Sequence, residues 1–257
     1  DNIIHVDTTI DPVRDKETID IELQLKDYET LEKRLDRVKK TARTGNKEAQ
    51  KELEVLEKIK KGLEASISVR AIELTDKERE EYVKPIQFIT DKPVLYVCNV
   101  DEDSAVNGND YVKAVKEAIK DENAEIIILA VGTEADITEL ESFEERQLFL
   151  EDLGLNEPGA SVLIRSAYKL LNLQTYFTAG VKEVRAWTIN VGDSAPQAAG
   201  VIHTDFEKGF IRAEVINYDD FVELGSEAKV KEAGKMRVEG KEYIVKDGDM
   251  MNFRFNV

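Results

Sequence analysis

The chain has 257 residues, 42% of them hydrophobic and 35% charged, with a net charge of −17; this excludes disorder and predicts two or three packed units. The acid excess excludes broad attraction to nucleic acid, which needs clustered Lys and Arg, so any RNA contact must be local. No run approaches the roughly 20 apolar residues that span a bilayer, and no basic segment followed by an apolar one opens the chain, so no membrane partner and a cytoplasmic location are expected.

Ile3, Ile4 and Val6 read as a short buried strand with no partner strand before it, which predicts that the chain is the rear part of a longer protein. After Asp11-Pro12 the pattern turns helical, with Ile19, Leu23, Leu25, Tyr28, Leu31, Leu35 and Val38 recurring at three- and four-residue steps. Thr44-Gly45-Asn46 breaks the run. A second helical run continues through Ala49, Leu53, Leu56, Ile59 and Leu63. The two predict an antiparallel helical hairpin resembling a short coiled coil, its apolar stripes burying each other. A partner-binding role for the tip, residues 43–47, is a second reading of the same hairpin.

From Pro85 the signal becomes alternating α/β. Residues 94–98 form an apolar run of strand length, residues 111–119 read as a helix, and residues 126–130 as a second strand. Helices are expected at 139–153 and 162–171. Apolar strands separated by helices indicate a parallel sheet with helices on its faces. The final segment is a small α+β unit: strands at 183–190 and 212–216, a short helix near 196–203, and Asp247-Gly248-Asp249 as a turn before Met251, Phe253 and Phe255. From residue 172 onward 11 Lys and Arg stand against 14 Asp and Glu, a net of −3, which leaves −14 on the first part. The single cysteine, Cys98, excludes an intramolecular disulfide, and with His5 and His203 as the two histidines no Cys/His zinc site can be assembled. Cys98 itself reads as a buried strand residue.

Asn99-Val100-Asp101-Glu102 follows the first apolar strand directly, and in an open parallel sheet ligands gather at the carboxyl ends of strands. GTPases carry Asn-Lys-x-Asp in this loop, where the Asp carboxylate accepts from two guanine donors. Here Glu102 lengthens the side chain and Val100 replaces the lysine. Adenine offers an acceptor where guanine offers a donor, so loss of guanine preference is expected. The alternative reading of Asn99 is an Asx turn at the strand-to-helix connection.

This Asn-x-x-Glu variant resembles the base-recognition loop of the Obg-like ATPases (YchF family), a family that prefers ATP to the GTP used by its relatives. Ala130-Val131-Gly132-Thr133-Glu134-Ala135 resembles the second base-contacting loop of that fold, departing from it where the family has Ser or Cys followed by Ala. The resemblance is densest from Leu171 onward, through Asn172-Leu173-Gln174-Thr175-Tyr176-Phe177-Thr178-Ala179-Gly180, Glu183-Val184-Arg185-Ala186-Trp187-Thr188, and Ala198-Ala199-Gly200-Val201-Ile202-His203-Thr204-Asp205-Phe206-Glu207-Lys208-Gly209-Phe210-Ile211-Arg212-Ala213. These strings are similar to the TGS domain, a β-grasp fold also found in threonyl-tRNA synthetases and stringent-response proteins.

The resemblance implies an α/β fold in which part of a P-loop NTPase parallel sheet carries an inserted α-helical coiled-coil hairpin and a C-terminal α+β β-grasp (TGS) domain. The implied boundaries are 1–15 and 85–171 for the nucleotide-binding part, 16–84 for the insertion and 172–257 for the TGS domain. It further implies an ATPase acting with ATP and Mg2+ in translation or stress regulation, with the ribosome as partner and RNA met through the TGS domain or the hairpin. Asn99, Val100, Glu102, Ala130 and Gly132 are the implied nucleotide-binding residues.

His203, Lys208 and Arg212 are the candidate partner contacts, Lys235 a further cation; solvated charge, or for His203 a bond holding the turn into Asp205, is the competing reading. A Gly-x-x-x-x-Gly-Lys-Ser/Thr loop and an Asp-x-x-Gly segment, which phosphate chemistry requires, do not occur. Gly234-Lys235 is followed by Met236 and has Lys229 where the first glycine belongs. The chain alone is therefore expected to be inactive, with no catalytic or metal-binding residue of its own. A non-enzymatic ribosome-binding or RNA-binding adaptor and a translational GTPase stand as alternatives.

Overall fold

The computed structural model describes residues 9–122, 124–180 and 183–256, so the strand expected around Ile3 to Val6 lies outside the described residues. The chain divides into two compact units, Asp1–Leu163 and Ile164–Val257.

In the first unit Asp11 accepts the Arg14 backbone N–H at 3.1 Å, and Pro12 fills the first helical position, where a missing amide costs nothing. Helix α1 (Pro12–Ala42) ends in a turn at Gly45, whose φ of +81° suits a residue without Cβ. Asn46 then accepts the Ala49 N–H at 3.0 Å and opens α2 (Lys47–Glu64). Leu31, Leu35 and Val38 are buried with Val55, Leu56 and Ile59 in one core that also takes Val69, Val83 and Phe88. Each such side chain contributes about 1.5–3 kcal/mol by leaving water.

The apolar period fails at the front of α1. Ile19 and Leu25 are 54% and 61% exposed, whereas Gln24 and Asp27 are buried. Asp27 is buried because three donors meet it: the Ile89 N–H at 2.8 Å, and the N–H and hydroxyl of Thr90, each at 2.7 Å. Gln24 donates to Ser66 and Ser68 nearby. These charge-assisted bonds offset the desolvation of the carboxylate, and they clamp α1 to the chain returning from the short turns, among them α3 (Asp76–Glu78), that follow α2.

Strands β1 (Leu95–Asn99) and β2 (Glu125–Leu129) pair in parallel, with α4 (Asp110–Ala118) between them in sequence. Beyond β2 come α5 (Val131–Glu139), α6 (Phe143–Asp152) and α7 (Gly159–Leu170). The helix expected at 139–153 starts later, because Leu140 is extended and Ser142 and Glu145 form a capping box that opens α6. Of the segment read as a loop from Ala130 to Ala135, Ala130 alone stays outside a helix, and Val131 onward is the start of α5. No helix among the described residues is long and apolar enough to cross a membrane.

The second unit holds a mixed five-stranded sheet in the order β4-β3-β7-β5-β6. Strands β3 (Leu173–Ala179) and β4 (Val184–Asn190) are antiparallel, and β3 also lies parallel to β7 (Met250–Phe255). Strand β5 (Phe210–Ile216) is antiparallel to both β7 and β6 (Arg237–Glu239). Ala195, Ala198 and Ala199 of α8 (Ala195–Ile202) are fully buried in the core with Tyr176, small enough for the helix backbone to come close, and the Tyr176 hydroxyl donates to the Ala198 carbonyl at 2.9 Å. Helices α9 (Thr204–Lys208), α10 (Tyr218–Leu224) and α11 (Glu227–Glu232) occupy the connections.

The turn before β7 is held from several sides. Asp247 accepts the Thr175 N–H at 2.8 Å, and buried Asp249 accepts the Tyr243 hydroxyl at 2.7 Å and the Lys246 N–H at 3.0 Å through one oxygen. Its other oxygen has no hydrogen bond, only the Arg237 guanidinium at 3.5 Å. Burial first, and then the bond to Asp249, push the Tyr243 hydroxyl up to about 12.

Candidate functional site

The candidate base site is built on the ends of β1 and β2. The Val100 N–H donates to the Leu129 carbonyl at 2.8 Å, carrying the strand pairing one residue past β1. Asp101 then accepts the Ser104 N–H at 3.0 Å and folds 102–104 into a 3-10 turn. The capping considered for Asn99 thus falls to Asp101. Asn99 instead reaches the neighbouring strand end: its Oδ1 accepts the Val131 N–H at 3.2 Å. That bond ties the two expected base-contacting segments together.

Asn99 is exposed, and its Nδ2 has no partner among the described residues. Glu102 lies at the first position of the 3-10 turn, exposed, its carboxylate also without a partner among the described residues. Ala130 precedes α5 and supplies no side-chain cap. With the Val131 amide taken by Asn99, the amides of Gly132 and Thr133 stand in the first turn, where a helix has no acceptor of its own. Gly132 is exposed and has open space where a Cβ would stand.

The expected residues do not all share one cavity. Asn99 and Val100 line a cleft of about 280 Å3 with Tyr96, Asn109 and Tyr111. Ala130 lines a different cavity of about 50 Å3 with Thr133 and Glu134, far below the roughly 300 Å3 at which ligand clefts begin. Cys98, on β1, has its thiol pushed up by burial, which keeps it protonated and a poor nucleophile. Sequence reasoning missed Glu134, whose carboxylate accepts the amides of Gly159 at 2.6 Å and Ala160 at 3.3 Å and so caps α7 from α5. No local pattern announces a cap supplied from 25 residues away.

In the second unit His203 precedes α9, and its Nδ1 accepts the Asp205 N–H at 3.2 Å. Lys208 ends α9 and Arg212 lies on β5, both exposed and without an ion-pair partner among the described residues. Lys235 is bound instead by Asp220 at 2.7 Å and Glu223 at 3.3 Å.

Known proteins resemble the chain throughout. The family model YchF-GTPase_C, described as a protein of unknown function (DUF933), matches residues 173–256. A protein of Haemophilus ducreyi named ribosome-binding ATPase YchF is 53% identical over 257 residues, covering all of this chain and 70% of the relative. The Bacillus subtilis protein of that name is 50% identical over 259 residues, with the same coverage. The solved structure of the Schizosaccharomyces pombe YchF GTPase superposes with a TM-score of 0.84 at 35% identity, covering 98% of this chain and 68% of that one.

Proposed function

The chain belongs to the YchF family, and from that membership we propose that it is the base-reading and partner-docking part of an ATPase that prefers ATP to GTP and associates with the ribosome. The observation that carries the nucleotide half is the Asn99–Val131 bond. It commits Oδ1 and leaves Nδ2 as a free donor, suited to a purine N7, which is an acceptor in adenine and guanine alike.

Choice between the bases then falls to the loop beyond Asn99. Glu102 is one methylene longer than the Asp that guanine recognition uses, and nothing among the described residues fixes its carboxylate. An amide at the start of α5, such as that of Gly132, supplies the donor that adenine N1 accepts. Val100 would pack beside the base, and Ala130 would shape the second loop. Bound ATP with Mg2+ supplies the phosphoanhydride to be hydrolysed. A Gly-x-x-x-x-Gly-Lys-Ser/Thr loop and an Asp-x-x-Gly segment do not occur in the sequence, so this reading assigns phosphates and magnesium to residues other than these. On this reading the 257 residues alone do not hydrolyse ATP.

The domain boundaries drawn from the sequence belong to this proposal, as does a cytoplasmic location. The sheet order of the second unit, with parallel β3 and β7 at its centre, supports reading it as a β-grasp docking domain, with His203, Lys208 and Arg212 as candidate contacts. The packing of α1 on α2 supports the inserted hairpin. Titrating a protein that joins this chain to its phosphate-binding part with ATP and with GTP tests the base reading. ATP should bind at least tenfold more tightly, and Glu102→Asp should raise GTP affinity at least tenfold. Tighter binding of GTP by the unmutated protein would falsify it.

A further inference from the structure

The two edges of the sheet in the second unit are unlike. Strand β6 ends it on one side with three residues, of which Arg237 and Glu239 are charged. Strand β4 ends it on the other with seven, Val184–Asn190, in which Arg185 is the one charge, and its pairing with β3 runs without a bulge. Natural sheets blunt a long edge with Lys, Pro, a bulge or a covering segment, because open backbone groups invite another strand. Strand β4 has no Lys, Pro or bulge, and Val184, Ala186 and Thr188 are exposed, Val184 to 73%.

The bonds at the two ends of the β3–β4 ladder set which groups of β4 face outward. The Gly180 N–H donates to the Glu183 carbonyl at 2.9 Å, and the Val191 N–H to the Asn172 carbonyl at 2.8 Å. By the alternation of an antiparallel pair, Arg185, Trp187 and Ile189 then bond to β3, while Val184, Ala186 and Thr188 turn their N–H and C=O groups away from it. None of these outward backbone groups has a hydrogen bond among the described residues. The hydroxyls of Tyr168 and Thr188 meet at 2.9 Å, a contact of side chains that leaves the backbone edge open. Val184 and Ala186 share one face of the strand. On the other face the Arg185 guanidinium lies 4.1 Å over the Trp187 ring, itself held by its N–H bond to the Thr178 hydroxyl at 2.9 Å. The carboxylate nearest Arg185 among the described residues, that of Glu183, stands at 4.0 Å, the outer limit of an ion pair. A guanidinium stacked in this way keeps the N–H donors of its rim for a carboxylate.

We propose that the β4 edge takes up an extended peptide segment of a partner protein as a sixth strand, with an acidic side chain beside Arg185 and a β-branched one against Val184 and Ala186. In strand addition the main-chain bonds supply affinity and alternate side chains supply specificity. A second copy of this chain is the poorer occupant. Seven residues at about 3.3 Å each make an edge about 23 Å long, which in a sheet about 10 Å thick offers roughly 230 Å2, against about 800 Å2 per partner in a stable interface. Two chains of net charge −17 also repel each other. Such docking requires neither nucleotide nor ribosome, so it stands or falls apart from the function proposed above.

The test selects random peptides displayed on phage against the whole chain, then titrates the enriched sequences as fluorescein-labelled peptides by fluorescence polarisation. They should alternate β-branched with polar residues and carry an acid. Ala186→Pro removes an outward N–H that the ladder does not use, a place where an edge strand accepts proline, and should weaken these peptides at least tenfold. Arg185→Glu should weaken them at least fivefold and should favour the same peptides with the acid changed to Lys. Trp187 fluorescence during thermal unfolding shows whether the strand survives Ala186→Pro. Should it not, Val184→Lys, which leaves every backbone group in place, is expected to weaken the peptides at least threefold. Failure of any peptide to enrich, or enriched peptides that bind the edge variants undiminished, overturns the assignment. So does a dimer of the unmutated chain in sedimentation that the edge variants dissolve, which would mark a second copy as the occupant.

Discussion

The side-chain oxygen of Asn99 accepts the backbone N–H of Val131 at 3.2 Å, and this bond joins the ends of two parallel strands. Replacing Asn99 with Ala removes the join and the free Nδ2 donor together. A surface bond of this kind is worth about 0.5–1.5 kcal/mol, so stability should change little. ATP affinity of a protein carrying the phosphate-binding part should nonetheless fall at least tenfold. Calorimetric titration with ATP, beside a thermal melt, checks both; unchanged affinity would remove Asn99 from the site.

Asp27 is expected to be a principal stability determinant of the first unit. Asp27→Ala strands the amides of Ile89 and Thr90 and the Thr90 hydroxyl, and buried unsatisfied donors cost about 1–3 kcal/mol each. A loss of about 3–5 kcal/mol is the expected outcome, with Asp27→Asn intermediate because one acceptor oxygen survives. Urea unfolding followed by far-ultraviolet circular dichroism measures it.

Gly209 closes α9 against the end of β7. A Cβ there would strike the Asn256 carbonyl oxygen and come within 2.9 Å of its carbon, both backbone atoms that cannot swing aside. The Asn256 N–H also donates to the Gly209 carbonyl at 2.9 Å. Gly209→Ala should therefore destabilise the second unit by about 1–3 kcal/mol. The single tryptophan of the chain, Trp187, lies on β4 and reports that unit by fluorescence during thermal unfolding.

The Tyr243 hydroxyl links the second unit to alkaline pH. Its folded value of about 12 exceeds the ordinary value of 10.0, so the unfolded chain releases this proton first as pH rises. The stabilising contribution is complete below pH 10 and is lost as pH climbs through 12. Tyr243→Phe should be less stable at neutral pH, through loss of the bond to Asp249, and should show a shallower decline between pH 10 and 12. Trp187 fluorescence against pH reads this directly; parallel curves for the two proteins would contradict it.

Position and letters together made the Asn99 loop legible: an apolar run of strand length followed at once by Asn-x-x-Glu. Its partner was not, because the Val131 donor is a backbone amide 32 residues away and carries no side-chain signature. The same blindness hid Asp27. A carboxylate within an amphipathic helix reads as solvent-facing, and only the return of residues 88–90 makes its burial favourable. Ile19 and Leu25 failed in the opposite sense, fitting the helical period while remaining exposed. Strand β6, at three residues, is too short to show a period of two, whereas β3 buries Gln174 and Tyr176 and leaves Leu173 and Phe177 half-buried, so its buried face is not its most apolar one.

The place of β7 in the second sheet bears on how that unit comes into being. Residues 250–255 sit between β3 and β5, pairing with both, so the strand made last in this unit is the one that joins its two halves. A chain emerging at about 5–20 residues per second holds β3, β4, β5 and β6 for seconds before the middle of the sheet exists. Until then the antiparallel β3–β4 and β5–β6 pairs have open edges toward each other, and closure is a long-range event of the slow kind. Any nascent chain paused short of Met250 keeps this unit open, and its completion marks the arrival of the final strand.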